Sequence, residues 1–316
     1  MTFEQILTQS ILILVTMILL GTILRKIGVV KDEHGAFFAS MVTEVTLPAL
    51  IFIAISSHPV ELKQLYPPLL LIGTELICAL LAWTVGRVLK LSKPQTGALI
   101  LASMFGSSAF LGYAVIKELF KDNVKVLGEA AIISELGVGL MIFTLGVAIA
   151  IFFGKNNISR RDALKPVLSF FHSHIFIALV TGIIVSFIDL PRDNIIIASL
   201  FKLLEIIANS NTLMVTMTIG IMLKFHNLRK VLPIVILACV IKLLIQPLLA
   251  GSFADMFSVS DTWRKILVIE ASMPSAALAA VFAKRYNCDA ELASILVFAT
   301  FLSSILTIIT IVWVLT

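Results

Sequence analysis

The chain contains ten apolar runs, and most of them are long enough to cross a membrane as a helix. A helix needs about 20 apolar residues to cross the hydrocarbon core of a bilayer. Only 14% of the 316 residues are charged, whereas about a quarter of a soluble domain is charged. The sequence therefore predicts an all-α polytopic membrane protein with ten transmembrane helices. They span residues 6–24, 36–55, 65–88, 96–116, 130–153, 166–188, 203–223, 231–251, 266–283 and 292–315.

The basic residues in the connecting loops predict the orientation of these helices. Counted from the N-terminus, the odd-numbered loops carry 15 Lys and Arg residues and the even-numbered loops carry eight. Because Lys and Arg accumulate in cytoplasmic loops, the odd-numbered loops are expected inside the cell and both termini outside. We expect a multi-pass protein of the plasma membrane.

Several other classes of function are excluded by composition. The net charge of +5 comes from scattered Lys and Arg residues and not from one basic face, so we expect no nucleic-acid partner. Cys78, Cys239 and Cys288 lack paired spacing, which argues against a disulfide framework and against a metal site. No nucleophile has an adjacent base in the sequence. We therefore expect neither an enzyme nor a cofactor.

The number of helices predicts internal symmetry. Ten helices divide into two groups of five, and an odd number per group makes the second group enter the membrane from the opposite side, as in transporters with inverted repeats. A shift of 167 residues lays Gly106 on Met273 and Glu75 on Lys242. The predicted domains are a first five-helix repeat at 1–153, a basic cytoplasmic linker at 154–165 and a second, inverted repeat at 166–316.

The ninth predicted helix contains a sequence that breaks helices. Ser272, Met273, Pro274 and Ser275 lie in the middle of an otherwise apolar stretch. Proline has no N–H group and clashes with the carbonyl four residues before it, so the helix must kink or open there. Open backbone at membrane depth requires cover from protein or a water-filled cavity. The sequence predicts a discontinuous helix 9.

The fourth predicted helix carries a second weak point. Gly106, Ser107 and Ser108 follow one another, and glycine and serine both disfavour the interior of a helix. One interpretation is a second discontinuity, facing the one at Pro274. The alternative is that these small residues only allow two helices to pack closely.

Two broken helices would create an anion site. Each second half would begin near the midplane with unpaired N–H groups and a partial positive charge, which attract carboxylates and phosphates. Pro274 suits the first position of such a helix. A small organic anion is therefore the expected ligand within the lipid bilayer. Four serines are candidate caps or ligand donors: Ser107, Ser108, Ser272 and Ser275.

Ionisable residues inside the apolar runs should pair or face the interior, because a charge facing lipid is costly. Lys242 and Glu75 are candidates to neutralise each other across the repeats. Glu270, one turn before Pro274, is a candidate for binding a coupling H⁺ or Na⁺, or else a buried partner of Lys242. Gln246, one turn after Lys242, suits either arrangement.

The seventh predicted helix has polar residues in mid-span. Asn209 and Asn211 are candidates to line the surface against which the broken helices move. The alternative is that both asparagines only form hydrogen bonds between helices.

The motif around Pro274 resembles a known family. It reads Ala-Ser-Met-Pro-Ser-Ala at 271–276, followed by Ala-Lys-Arg-Tyr at 283–286 and Asp-Ala-Glu-Leu-Ala-Ser at 289–294. The chain is similar over its whole length to the auxin efflux carrier family of membrane transport proteins, within the bile acid, arsenite and riboflavin transporter group. The resemblance implies that helices 4 and 9 cross at the substrate. It also implies an elevator mechanism, with helices 1, 2, 6 and 7 as scaffold and helices 3–5 and 8–10 as the mobile transport domain.

The function that these expectations favour is transport of a small organic anion. In the family that the chain resembles, bacterial members are associated with malate, malonate and similar carboxylates, and plant members with auxin. The resemblance thus implies a secondary active or facilitative carrier of a mono- or dicarboxylate, and a homodimer is a further expectation. One alternative is a sodium-coupled carrier of amphipathic, bile-acid-like anions. Another is a membrane sensor or binding protein that does not transport.

Overall fold

The structure, a computed structural model, describes residues 3–31, 33–57, 59–120, 123–154, 168–188, 190–191, 193–222 and 231–315. The regular elements of these residues are helical, and their β pairing consists of one isolated bridge between Gly106 and Ser275. The helices are α1 Phe3–Lys26, α2 His34–Ser56, α3 Tyr66–Val88, α4 Lys93–Met104, α5 Tyr113–Leu119, α6 Val124–Phe153, α7 His174–Ser186, α8 Ile195–Asn209, α9 Asn211–Met222, α10 Leu232–Met256, α11 Asp261–Ser272, α12 Ala277–Arg285 and α13 Ala290–Leu315.

Seven helical stretches within the described residues are long and apolar enough to cross a membrane. They correspond to the first, second, third, fifth, seventh, eighth and tenth predicted helices, which confirms a polytopic, all-helical membrane protein. The fourth and ninth predicted helices are each divided into two shorter helices, so neither has the length of a span. The sixth predicted helix begins outside the described residues, as does the predicted linker beyond Gly154. The arrangement as two inverted repeats stays a prediction.

Wide π-helical turns interrupt several of the helices. An extra residue in such a turn shifts the side chains that follow it, and π turns are frequent at functional sites. One of them lies in α10 and contains Lys242, and another leads from the extended residues after α4 into α5. The π turns are Val42–Thr46 in α2, Ser108–Gly112 before α5, Glu135–Gly139 and Ile142–Gly146 in α6, and Val240–Ile245 in α10.

The first of two compact units is drawn from Met1–Leu65, Ala109–Glu135 and Phe171–Leu223. Its described helices are α1, α2, α5, α7, α8, α9 and the beginning of α6. Helices α1 and α9 pack backbone against backbone, since a Cβ on Gly220 would lie 2.2 Å from the carbonyl oxygen of Ile18. A membrane interface of this kind depends on small residues, because lipid supplies no hydrophobic force between helices.

The second unit is drawn from Tyr66–Ser108, Leu136–Phe170 and Lys224–Thr316. Its described helices are α3, α4, α10 to α13 and the remainder of α6. Close backbone approach recurs here, because a Cβ on Gly154 at the end of α6 would lie 1.9 Å from the carbonyl oxygen of Tyr286. Both predicted helix breaks fall in this unit. The assignment of scaffold and mobile helices stays a prediction.

Candidate functional site

Helices α4 and α11 both end inside the second unit. Helix α4 ends at Met104, because Phe105 has extended backbone angles (φ −98°, ψ 131°). Helix α11 ends at Ser272, and Met273 is also extended (φ −64°, ψ 143°), as expected for the residue that precedes a proline. The helix resumes only at Ala277, as α12. The prediction that Pro274 occupies the first position of the second half was wrong, because that helix begins three residues later, at Ala277.

The extended residues after α4 and after α11 pair with each other as an antiparallel patch. The N–H group of Ser107 donates to the carbonyl oxygen of Pro274 at 2.7 Å. The N–H group of Ala276 donates to the carbonyl oxygen of Phe105 at 2.9 Å. These bonds satisfy backbone groups that would otherwise be exposed at membrane depth without partners. The fourth and ninth predicted helices are therefore discontinuous and joined through their breaks.

Thr300 of α13 holds the ninth-helix break in place. The N–H group of Ser275 donates to Thr300 Oγ1 at 3.1 Å, and the two hydroxyl oxygens lie 3.0 Å apart. The Ser275 hydroxyl in turn donates to the carbonyl oxygen of Ala102 in α4. All of these groups are buried. Thr300 could not be recognised from the sequence, because a threonine in a membrane helix normally bonds its own backbone, as Thr300 also does with Leu296.

Lys242 is fully buried in α10 and lies at the point where α4 and α11 end. Its Nζ donates to Gln246 Oε1 at 2.6 Å and to the carbonyl oxygen of Ala271 at 3.0 Å. Gln246 Nε2 donates to the carbonyl oxygen of Met104 at 3.3 Å. A Cβ on Gly106 would lie 3.2 Å from Lys242 Nζ, so the absent side chain leaves room for the ammonium. Two side chains of α10 thus cap the C-terminal ends of both first halves.

Two buried carboxyl groups share the electrostatic environment of Lys242. Glu75 in α3 is 0% exposed and Glu270 in α11 is 1% exposed, and the charge of Lys242 acts on both. Neither carboxylate oxygen of Glu75 has a hydrogen-bond partner in the described part of the chain. The interaction between Lys242 and Glu75 is therefore one of charge at a distance and not a hydrogen-bonded ion pair.

The predicted serines have different environments. The Ser272 hydroxyl donates to the carbonyl oxygen of Val268 within α11, which leaves it no part in capping α12. Ser108 is buried, and its hydroxyl has no hydrogen-bond partner among the described residues, while Ser107 is half-buried. The N-cap of α12 is Ala276, which has no capping side chain. The first N–H groups of α12 therefore lack the side-chain acceptor that most helices have there.

The asparagines of the seventh predicted helix belong to the first unit. Asn211 is 0% exposed, and its Oδ1 accepts a hydrogen bond from Thr46 of α2 at 2.8 Å. Asn209 Oδ1 accepts from Lys117 Nζ at 3.0 Å. Both contacts are hydrogen bonds between helices of this unit, which is the alternative role considered for these two asparagines.

Replacing Thr46 by valine is expected to lower the free energy of unfolding by about 1 kcal/mol, because the buried amide of Asn211 loses a hydrogen-bond donor. Thermal unfolding of the detergent-solubilised protein measures the change. Thr16 is exposed on α1, and within the described part of the chain its hydroxyl bonds only the carbonyl oxygen of Leu12, so Thr16→Val serves as the control. Equal stability of the two variants would show that the Thr46–Asn211 contact is energetically neutral.

A second buried polar pair lies in the first unit. The Tyr113 hydroxyl of α5 donates to Glu135 Oε1 at 2.8 Å, and both side chains are buried. Glu135 lies inside the apolar run at 130–153, where its partner could not be identified from the sequence. Elsewhere in the described chain, no group of three or more His, Cys, Asp or Glu residues is arranged to hold a metal ion.

Comparison with known proteins agrees with the membrane architecture and with the motif at Pro274. The family described as "Membrane transport protein" matches residues 6–314. An uncharacterized transporter of Methanocaldococcus jannaschii is 28% identical over 313 residues, which cover 96% of this chain and 97% of the relative. An uncharacterized transporter of Methanothermobacter thermautotrophicus is 27% identical over 307 residues, covering 95% and 96%. The chain belongs to the membrane transport protein family, which is the auxin efflux carrier family that its ninth-helix motif resembles.

Proposed function

We propose that the protein is a secondary active or facilitative carrier that moves a small mono- or dicarboxylate across the cell membrane. The observation that carries this proposal is the paired break, in which the extended residues after α4 and α11 bond each other beside the buried ammonium of Lys242. Broken helices joined at membrane depth are the usual place where secondary transporters bind their substrates.

The N-terminus of α12 is the proposed contact for the substrate carboxylate. Its first N–H groups carry a partial positive charge and have no side-chain cap from Ala276. Ser107 in the adjoining extended segment supplies a hydroxyl group nearby, whereas the hydroxyl of Ser275 already donates to the carbonyl oxygen of Ala102. An anion is favoured over a cation at this end of the helix, because the helix dipole and the N–H groups both attract negative charge.

The proposed mechanism is of the elevator type, as the family resemblance implies. Helices 3–5 and 8–10 of the ten-helix arrangement would carry the substrate past helices 1, 2, 6 and 7. Glu270 is the proposed group through which a coupling ion acts, because it is buried at the break. Two inverted repeats at 1–153 and 166–316 would account for opposed breaks in the fourth and ninth helices.

Uptake of labelled malonate and malate into proteoliposomes tests this function. Accumulation above that of protein-free vesicles is expected, and imposed pH and Na⁺ gradients separate proton-driven, sodium-driven and uncoupled transport. Uptake of bile-acid-like anions instead of dicarboxylates would favour the alternative carrier. A ligand that stabilises the protein without entering the vesicles would indicate a sensor.

A variant at Ala276 tests the proposed anion contact within the same assay. Ala276→Asp places a carboxylate at the N-cap of α12, where it can accept hydrogen bonds from the first N–H groups. We expect uptake to fall at least about tenfold while the protein stays folded, because the new carboxylate takes the place of that of the substrate. Ala276→Asn caps the same N–H groups without charge, and comparing the two variants separates charge from capping. Undiminished uptake by Ala276→Asp would place the substrate elsewhere.

A further inference from the structure

The ammonium of Lys242 is held by neutral oxygen atoms. Among the described residues, its hydrogen-bond acceptors are the amide oxygen of Gln246 and the carbonyl oxygen of Ala271, at 2.6 and 3.0 Å. A lysine retained only to neutralise a carboxylate would be expected to donate to that carboxylate. Glu75 acts on Lys242 by charge, yet neither of its carboxylate oxygens has a hydrogen-bond partner in the described residues.

The surroundings of Lys242 Nζ have the composition of a cation site. Helices α4 and α11 each have 12 residues, and their C-terminal ends, which carry partial negative charge, meet here. Gln246 joins them, since its Nε2 donates to Met104 of α4 while its Oε1 accepts from Lys242. In transporters with broken helices, carbonyl groups of unwound segments and of half-helix C-termini coordinate the driving Na⁺ or H⁺.

Gly106 adds a steric argument for the same interpretation. A Cβ at this position would lie 3.2 Å from Lys242 Nζ and 3.4 Å from the carbonyl oxygen of Glu270. The extended backbone at Gly106 therefore approaches the ammonium closely. Na⁺ and an ammonium are both compact single charges that prefer oxygen ligands, so one can stand in for the other.

We propose that the Lys242 ammonium is a tethered cation that occupies a sodium-type site at the ends of α4 and α11. The carrier then requires no Na⁺, and removal of the ammonium opens a site that binds Na⁺. That transport requires no Na⁺ rests on the proposed function. Binding of Na⁺ to the variant does not, because it can be measured without any substrate.

Thermal unfolding in NaCl and in choline chloride of equal ionic strength tests the proposal. The wild type is expected to have the same melting temperature in both salts. Lys242→Ala is expected to melt about 3 °C or more higher in 100 mM NaCl than in choline chloride, because Na⁺ binds only the folded chain. Lys202→Ala removes a lysine whose side chain is 71% exposed, and it should respond like the wild type.

Each result of this experiment is decisive. A wild type stabilised by Na⁺ would contradict the proposal whatever the variant does, because the site would then not be filled by Lys242. A folded Lys242→Ala protein with equal melting temperatures in the two salts would contradict it as well. Aggregation of the variant in both salts would also count against it, since bound Na⁺ should stabilise the folded chain. Failure of malonate uptake would leave these measurements unaffected and would concern only the proposed function.

Discussion

In sodium-free buffer, the Lys242→Met variant is expected to unfold with a free energy about 3–5 kcal/mol lower than that of the wild type. Methionine fills much of the volume of the lysine side chain but leaves Glu75 and Glu270 without the positive charge that acts on both. It also leaves Gln246 Oε1 and the carbonyl oxygen of Ala271 without their donor. Unfolding by SDS in mixed micelles measures the change.

A second substitution should restore part of this loss. Glu75→Gln removes one of the two uncompensated carboxyl groups, so the Lys242→Met/Glu75→Gln protein is expected to be more stable than Lys242→Met alone. The double-mutant cycle isolates the coupling between the two residues. Lys202 and Glu205 of α8 form an exposed pair at 3.2 Å and provide the control cycle, with an expected coupling of about 0–1 kcal/mol. Equal coupling in both cycles would mean that the charge of Glu75 is not balanced by Lys242.

The Thr300→Val variant is expected to lose about 1–3 kcal/mol of stability, because the buried N–H group of Ser275 loses its acceptor while the shape of the side chain is kept. We also expect weaker stabilisation by any transported anion, since Thr300 fixes the segment that leads into α12. Thermal unfolding with and without malonate measures both effects.

Another threonine of α13 provides the matched control. Thr310 is exposed, and of the residues that the structure describes its hydroxyl bonds only Leu306, through the carbonyl oxygen of that residue in the same helix. Thr310→Val should therefore change stability by no more than about 0.5 kcal/mol. If Thr300→Val behaved in the same way, the contact with Ser275 would have no energetic role.

The sequence located the helix break at Pro274 and indicated the one at Gly106 as one of two interpretations. Pro274 cannot continue a helix, and Gly106 with its neighbouring serines weakens one, so both positions follow from local chemistry. The spacing of Lys242 and Gln246 likewise placed them on one face of a helix, and the structure shows their side chains in contact.

The partners across the breaks could not be predicted in the same way. The acceptors of Lys242 and Gln246 at the helix ends are backbone carbonyl groups of Ala271 and Met104, which leave no mark in a sequence. Helix boundaries near charged residues were also less certain. The seventh predicted helix begins at Ile195 and not at residue 203, because Lys202 interrupts the apolar run of a segment that is helical nonetheless.

The antiparallel contact between the two breaks is made by main-chain atoms, at Ser107 with Pro274 and at Phe105 with Ala276. Its geometry therefore depends little on which side chains stand at positions 107 and 276. Substitutions at these two positions would change the side chains beside the contact, while its main-chain hydrogen bonds would be kept. Under the proposed function, positions 107 and 276 are therefore the starting points for altering the anion selectivity of the carrier.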